Sequence, residues 1–90
     1  MRKIQVFPSS LGDIVTVHKV MEKQEKLNFD VECGNCAIDG KSLLSTVSVL
    51  CRADAVIKII GESEDIDIFL NELKKEEITY EDLLSIETVW

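Results

Sequence analysis

The stretch Asp39-Gly40-Lys41-Ser42-Leu43-Leu44 is the segment that decides the fold, because a polar turn here ends in a serine that can cap a helix. Apolar residues continue at helical spacing as far as Leu50, which predicts a helix that begins just after Ser42. Beyond it, Val56-Ile57-Lys58-Ile59-Ile60 is the most apolar run that reads as a strand. A strand of this kind is expected at the centre of a sheet.

On the N-terminal side, the pattern predicts a strand, a helix and a hairpin. Ile4-Gln5-Val6-Phe7 reads as a short strand closed by Pro8, and Ser9 or Ser10 then offers a hydroxyl to cap a helix. The buried stripe expected for this first helix consists of Ile14, Val17, His18 and Met21.

The predicted hairpin lies between the first two helices. Phe29, Val31 and Cys33 alternate with acidic residues at the period of a half-buried strand. Gly34-Asn35 then permits a tight reversal into Cys36-Ala37-Ile38.

A third helix is predicted after Gly61, with Ser63 as its cap and a buried stripe at Ile66, Phe69, Leu70 and Leu73. The predicted order is therefore β-α-β-β-α-β-α. Helices segregated to one side of an antiparallel sheet are the natural packing for this order, which predicts an α+β fold.

Composition limits the class of protein. The chain has 90 residues and 46% hydrophobic content, which is enough for one core. Its formal net charge of −7 disfavours nucleic acid as a partner. The charge is uneven, because residues 62–90 carry 10 acidic and 2 basic side chains.

The expected location is cytoplasmic, with no insertion into a membrane, because no apolar run has the length of a signal peptide or a membrane span. Three cysteines in a short chain of this kind favour reduced thiols over a disulfide framework.

Residues 75–90 extend beyond a predicted domain of residues 1–74 and form an acidic extension. Thr79 with Asp82 three positions later resembles a capping pair, which predicts a short terminal helix. Two interpretations stay open for the apolar side chains of this extension, which are Tyr80, Leu83, Leu84 and Trp90. Packing against the domain itself is favoured over contact with a partner or a second copy.

Taken together, the region from Ile4 to Leu73 resembles HPr, the phosphocarrier of the bacterial sugar phosphotransferase system. The resemblance rests on the order of elements and on Lys41-Ser42-Leu43-Leu44, which matches the core motif around the regulatory serine of HPr proteins of Gram-positive type. It implies an open-faced sandwich in which three helices cover one face of a four-stranded antiparallel sheet.

The resemblance also places a phosphate-accepting histidine, followed by an arginine and a proline, at the start of the first helix. The matching positions here lie near Ser10, Gly12 and Asp13, and none of them fits that motif. Asp13 adds a carboxylate where a phosphoryl group would have to arrive. His18 lies two turns into the helix and is interpreted as a half-buried structural residue. No phosphohistidine transfer is expected.

Ser42 is the candidate phosphorylation site, because the resemblance makes it the target of a regulatory kinase. A plain helix cap is the simpler interpretation, since serine is among the best N-cap residues. Thr46 and Leu50 depart from the family pattern, where an aliphatic and a small residue are expected.

The sequence therefore predicts a regulatory or protein-binding module, and not an enzyme, without cofactor or metal. The resemblance implies that the exposed end of the second helix and the start of the first helix form the docking face. The candidate partner-contact residues there are Lys41, Val47, Leu50 and Arg52. The partners that the resemblance implies are phosphotransferase-system enzymes or a transcriptional regulator.

An alternative function starts from Cys33 and Cys36, whose C-x-x-C spacing occurs in redox motifs. It would make the protein a cytosolic thiol switch or a small-ligand-binding domain. Against it, reactive pairs usually draw acidity from a helix N-terminus or from cations, whereas this pair follows Glu32 in a strand. Cysteine as a small apolar filler is the favoured interpretation. A single C-x-x-C supplies at most half of a zinc site.

Overall fold

Alternating buried and exposed side chains in the strands, and buried stripes on the helices, build a layer of helices against an antiparallel sheet. The computed structural model describes residues 1–34, 36–50 and 55–83, with the backbone alone for Cys36 and residues 43–45. In chain order the elements are β1 (Arg2–Val6), α1 (Leu11–Glu22), β2 (Asn28–Cys33), β3 (Cys36–Asp39), α2 (Leu43–Leu50), β4 (Val56–Ile60), α3 (Ser63–Lys75) and β5 (Tyr80–Asp82).

The sheet has the strand order β3-β2-β4-β1-β5, and every neighbouring pair is antiparallel. The apolar strand β4 lies in the centre, as its sequence predicts, with Ile57 opposite both Ile4 of β1 and Val31 of β2. The fold is therefore α+β with three helices and an antiparallel sheet in the described chain, which is compatible with an open sandwich.

One face of the sheet holds the core. Ile4, Phe29, Val31, Ile57 and Ile59 are buried, whereas their neighbours along each strand are half-buried or exposed. The helices contribute the stripes that their periodicity predicts.

Rings from the sheet and from α3 meet inside this core. The Phe29 and Phe69 ring centroids lie 4.9 Å apart, with the ring planes tilted by 57°. This is a favourable aromatic geometry, and it joins β2 to α3.

The described sheet has five strands, so the expected four-stranded sheet is wrong, and so is the predicted terminal helix where it covers Tyr80–Asp82. The reason lies in the turn after α3. The Ile78 N–H donates to the Leu73 carbonyl and the Glu77 N–H donates to the Lys74 carbonyl, each at 3.0 Å, which is the Schellman pattern. Glu77 has the required left-handed backbone, with φ of 60°.

This turn sends the chain back along β1 as the strand β5. Tyr80 stands opposite Val6 and packs against the core, so the interpretation that the extension packs on its own domain holds for this residue. The Arg2 Nε donates a hydrogen bond to the Asp82 carboxylate at 2.8 Å, which ties β5 to β1. Leu83 is half-buried, and Leu84 and Trp90 lie outside the described residues.

Candidate functional site

The start of α1 is organised around a carboxylate. Ser10 is the N-cap, and its hydroxyl accepts a hydrogen bond from the Asp13 N–H at 3.2 Å. The Asp13 carboxylate in turn accepts from the hydroxyl of Ser9 at 2.7 Å and from its N–H at 2.9 Å. Both bonds lower the pKa of Asp13 below its ordinary value, and the bond from the Ser9 hydroxyl has the larger effect. A negative charge therefore occupies the end of α1 where the resemblance places a histidine.

His18 belongs to the interior. Only 3% of the residue is exposed, and its Nε2 lies 3.1 Å from the carbonyl oxygen of Lys41. Because a carbonyl only accepts hydrogen bonds, Nε2 is the donor in this contact, and Nδ1 lies 3.7 Å from the Glu22 carboxylate. The imidazole thus fastens α1 to the turn before α2. It is more deeply buried than the half-buried histidine that the sequence predicts.

The turn before α2 closes on itself through Asp39. The Lys41 N–H donates to the Asp39 carboxylate at 2.9 Å, and the Ser42 N–H donates to the Asp39 carbonyl at 3.1 Å. This is the local bonding by which Asp favours turns. The Ser42 carbonyl then accepts from the Thr46 N–H at 3.0 Å, which begins the bonding of α2. Ser42 itself is exposed.

Three hydrogen bonds to residues further away in the sequence hold this turn in place. The Gly40 N–H donates to the Phe29 carbonyl at 2.9 Å, and the fully buried Thr46 hydroxyl donates to the Gly40 carbonyl at 3.0 Å. The Lys41 ammonium donates to the Gln24 carbonyl at 3.0 Å. Thr46, which departs from the family pattern, therefore bonds to the turn that carries Ser42.

Among the described residues, the predicted partner-contact side chains Lys41, Val47 and Leu50 do not form one exposed surface. Leu50 is only 4% exposed and belongs to the core, so the expectation that it is presented to a partner is wrong. The reason is that it lies one turn beyond the buried Thr46, on the same face of α2. Val47 is half-buried against the core, the ammonium of Lys41 bonds to Gln24, and Arg52 lies outside the described residues.

Two exposed apolar side chains stand near the start of α1 and were missed by sequence reasoning. Phe7 is 46% exposed and Leu11 is 61% exposed. Leu11 precedes Ile14 by three positions, so helical spacing alone would predict that Leu11 is buried with the stripe of α1. Its position as the first residue of α1 is the signal that could have separated it from that stripe.

The cysteine pair occupies the end of the hairpin. Cys33 and Cys36 are directly opposite each other in the register of β2 and β3, as the two-residue reversal predicts. Cys33 is half-buried, and Gly34 has φ of 62°, the left-handed conformation that suits glycine. Cys51 lies outside the described residues.

Within the described ranges, no three His, Cys, Asp or Glu side chains are grouped so as to hold a metal ion. Likewise, none of the helices described is long and apolar enough to cross a membrane. Comparisons of the chain with protein-family models, with curated proteins and with solved structures give no match.

Proposed function

We propose that this chain is a divergent HPr-like module that binds a protein partner without phosphohistidine transfer, and that phosphorylation of Ser42 regulates it. The observation that carries the proposal is the position of Ser42. The residue is exposed and stands immediately before α2, on a turn that is hydrogen-bonded to β2 and α1. A kinase needs a side chain that it can reach, and a regulatory charge needs a site that tolerates it.

The start of α1 supports the proposed absence of phosphohistidine transfer. A phosphohistidine needs the free donors and positive dipole of a helix N-terminus. Here the Ser10 hydroxyl accepts from the Asp13 N–H, and the Asp13 charge lies within the first turn. The buried ring of His18 offers no exposed replacement.

The start of α2 supports the regulatory part. Phosphorylation adds about −1.5 to −2 charge at neutral pH, and a helix N-terminus stabilises a negative group by about 0.3–1 kcal/mol. The bonds from Thr46 to Gly40 and from His18 to Lys41 do not involve the Ser42 hydroxyl. The new charge would therefore alter the surface while the turn below it stays intact.

The exposed apolar residues supply the docking contact. Leu11 is the first residue of α1 and Phe7 lies four positions before it, near the region that the resemblance assigns to partner binding. We propose that this pair replaces Val47 and Leu50 as the apolar part of the docking surface. The partners proposed are the general phosphotransferase enzyme or a transcriptional regulator of the same system.

Labelling tests the regulatory site. The protein is incubated with a bacterial HPr serine kinase and radiolabelled ATP, beside the variants Ser42→Ala and Ser10→Ala. Ser10 is a matched control, because it is also an exposed serine directly before a helix. We expect acid-stable label on the wild type and on Ser10→Ala, and none on Ser42→Ala. Absence of label on the wild type, or label on Ser42→Ala, would contradict the proposal.

Binding tests the docking surface. Affinity for the purified general phosphotransferase enzyme and for the regulator is measured with Leu11→Ala and with Ile68→Ala, an aliphatic residue of α3 that is 53% exposed. Loss of an apolar anchor commonly costs more than about 1 kcal/mol of binding free energy, or about fivefold in Kd. We expect that loss for Leu11→Ala only. Wild-type protein that binds neither partner would overturn the proposal.

A further inference from the structure

We propose that Cys33 and Cys36 form a reversible intrachain disulfide across the end of the hairpin, independently of Ser42 and of any docking partner. The starting observation is the backbone register, in which the two residues are direct cross-strand partners. Directly opposed residues of antiparallel strands have Cα atoms about 4.5–5.5 Å apart. Disulfides join Cα atoms about 4.4–6.8 Å apart, so the Cα separation that this register gives is compatible with a disulfide.

Two further features suit a reversible bond. Cys33 is half-buried, so a small disulfide reagent can reach the hairpin end. The bond would close a loop with only two residues between the cysteines, and the chain-entropy gain from such a short loop is smaller than that of a long-loop structural disulfide. We therefore infer a bond that forms and breaks with the redox poise of its surroundings.

The oxidant class is a low-molecular-weight disulfide such as oxidised glutathione. One cysteine thiolate attacks the glutathione disulfide, forms a mixed disulfide and releases one glutathione thiolate, which takes up a proton. The second cysteine thiolate then attacks the protein sulfur of the mixed disulfide and releases the second glutathione. The pair loses two electrons and two protons in total, and one oxidised glutathione becomes two reduced molecules.

The chain offers a direct assay for this bond. Trypsin cleaves after Lys26 and Lys41, so both cysteines fall in the peptide 27–41, whereas Cys51 falls in the peptide 42–52. The folded protein is equilibrated in glutathione buffers of graded ratio, quenched in acid, alkylated and digested. We expect peptide 27–41 to become lighter by two hydrogen atoms, without alkyl groups, as the buffer becomes more oxidising.

A second measurement asks whether the fold, and not only the C-x-x-C spacing, brings the pair together. The same equilibration is run on the chain unfolded in urea, with Cys51→Ser as the background in both cases. We expect the equilibrium constant for disulfide formation to be at least about tenfold larger in the folded protein, which corresponds to about 1.4 kcal/mol. By linkage, the oxidised protein should gain the same amount in its free energy of unfolding.

The possible outcomes separate the proposal from its rivals. An equal or smaller constant in the folded chain would overturn it, as would a folded protein that carries only glutathione mixed disulfides or links to Cys51. The variant Cys36→Ser should hold one glutathione on Cys33 and form no intrachain bond. None of these results depends on kinase labelling or partner binding, so this proposal and the proposed function fail separately.

Discussion

Replacement of Glu77 by glycine is expected to stabilise the protein, because the Schellman turn after α3 holds this residue at φ of 60°. A residue with a Cβ pays about 1–2 kcal/mol for a left-handed backbone, and glycine does not. Glycine in turn loses about 0.5–1 kcal/mol more conformational entropy on folding. The difference of these two ranges is about 0–1.5 kcal/mol, and the net gain expected for Glu77→Gly lies in its middle part, about 0.5–1 kcal/mol.

Thermal unfolding measures this gain. For a domain of this size, 1 kcal/mol shifts Tm by about 4–8 °C, so Glu77→Gly should melt about 2–8 °C above the wild type. Glu77→Ala removes the carboxylate but keeps the Cβ, and it should stay within about 0.5 kcal/mol of the wild type. These two variants separate the backbone effect from the charge effect.

The neighbouring Glu76 supplies the matched control. It has φ of −86°, on the negative side of φ that residues with a side chain adopt. Glu76→Gly should therefore lower stability by about 0.5–1 kcal/mol, since glycine only adds freedom to the unfolded chain here. If Glu76→Gly gains as much as Glu77→Gly, or if Glu77→Gly melts at or below the wild type, the turn is not built as described.

Three more predictions concern the candidate site. The pKa of Asp13 is lower in the folded protein, so ionised Asp13 stabilises the fold above its unfolded pKa, and this stabilisation is lost as pH falls through the folded pKa. Asp13→Asn should therefore lose less of its resistance to urea on acidification than the wild type does. An equally steep loss in both proteins would assign the effect to other carboxylates. Gly40→Ala should lower the free energy of unfolding, measured in urea, by about 1–3 kcal/mol, because the new Cβ would collide with the Met21 side chain and lie 2.8 Å from the Phe29 Cβ. A loss below about 0.5 kcal/mol would mean that the turn can accommodate a Cβ at this position. Thr46→Val keeps the side-chain shape but removes the donor to the Gly40 carbonyl, which should lower the free energy of unfolding by about 1–3 kcal/mol. Thr46→Ser keeps the donor and should leave the Gly40 region protected from hydrogen exchange. Equal protection in both variants would contradict the role of the hydroxyl.

Periodicity predicted most elements well, because each one shows its buried face in its own sequence. The stripe Ile66, Phe69, Leu70 and Leu73 of α3 is buried as its spacing indicates. The same reasoning fails at helix ends and in short helices. Leu11 has the spacing of the α1 stripe and is exposed, whereas Leu50 is buried although a surface role was predicted. Spacing defines a face of a helix, but the neighbours of that face come from distant parts of the chain.

The strand β5 shows the same limit for a whole element. Thr79 and Asp82 have the spacing of a capping pair, and three residues are too few for alternation to signal a strand. The deciding interactions are the Schellman bonds at the end of α3 and the pairing of β5 with β1. A bond from the Phe7 N–H to the Thr79 carbonyl at 2.9 Å extends this pairing beyond the two strands. The β-forming run Ile78-Thr79-Tyr80 was the available signal.

The amino-acid sequence by itself determined the α+β class, the order of the first seven elements, the polar turn before α2 and the carboxylate in the first turn of α1. These features depend on residues close together in the chain, where propensity, spacing and capping act. Only the tertiary structure decided that His18 and Thr46 support the Ser42 turn, that Leu50 is buried and that a fifth strand joins the described sheet. Each of these depends on a partner reached through packing or hydrogen bonding, and local sequence patterns do not specify which distant group that partner is.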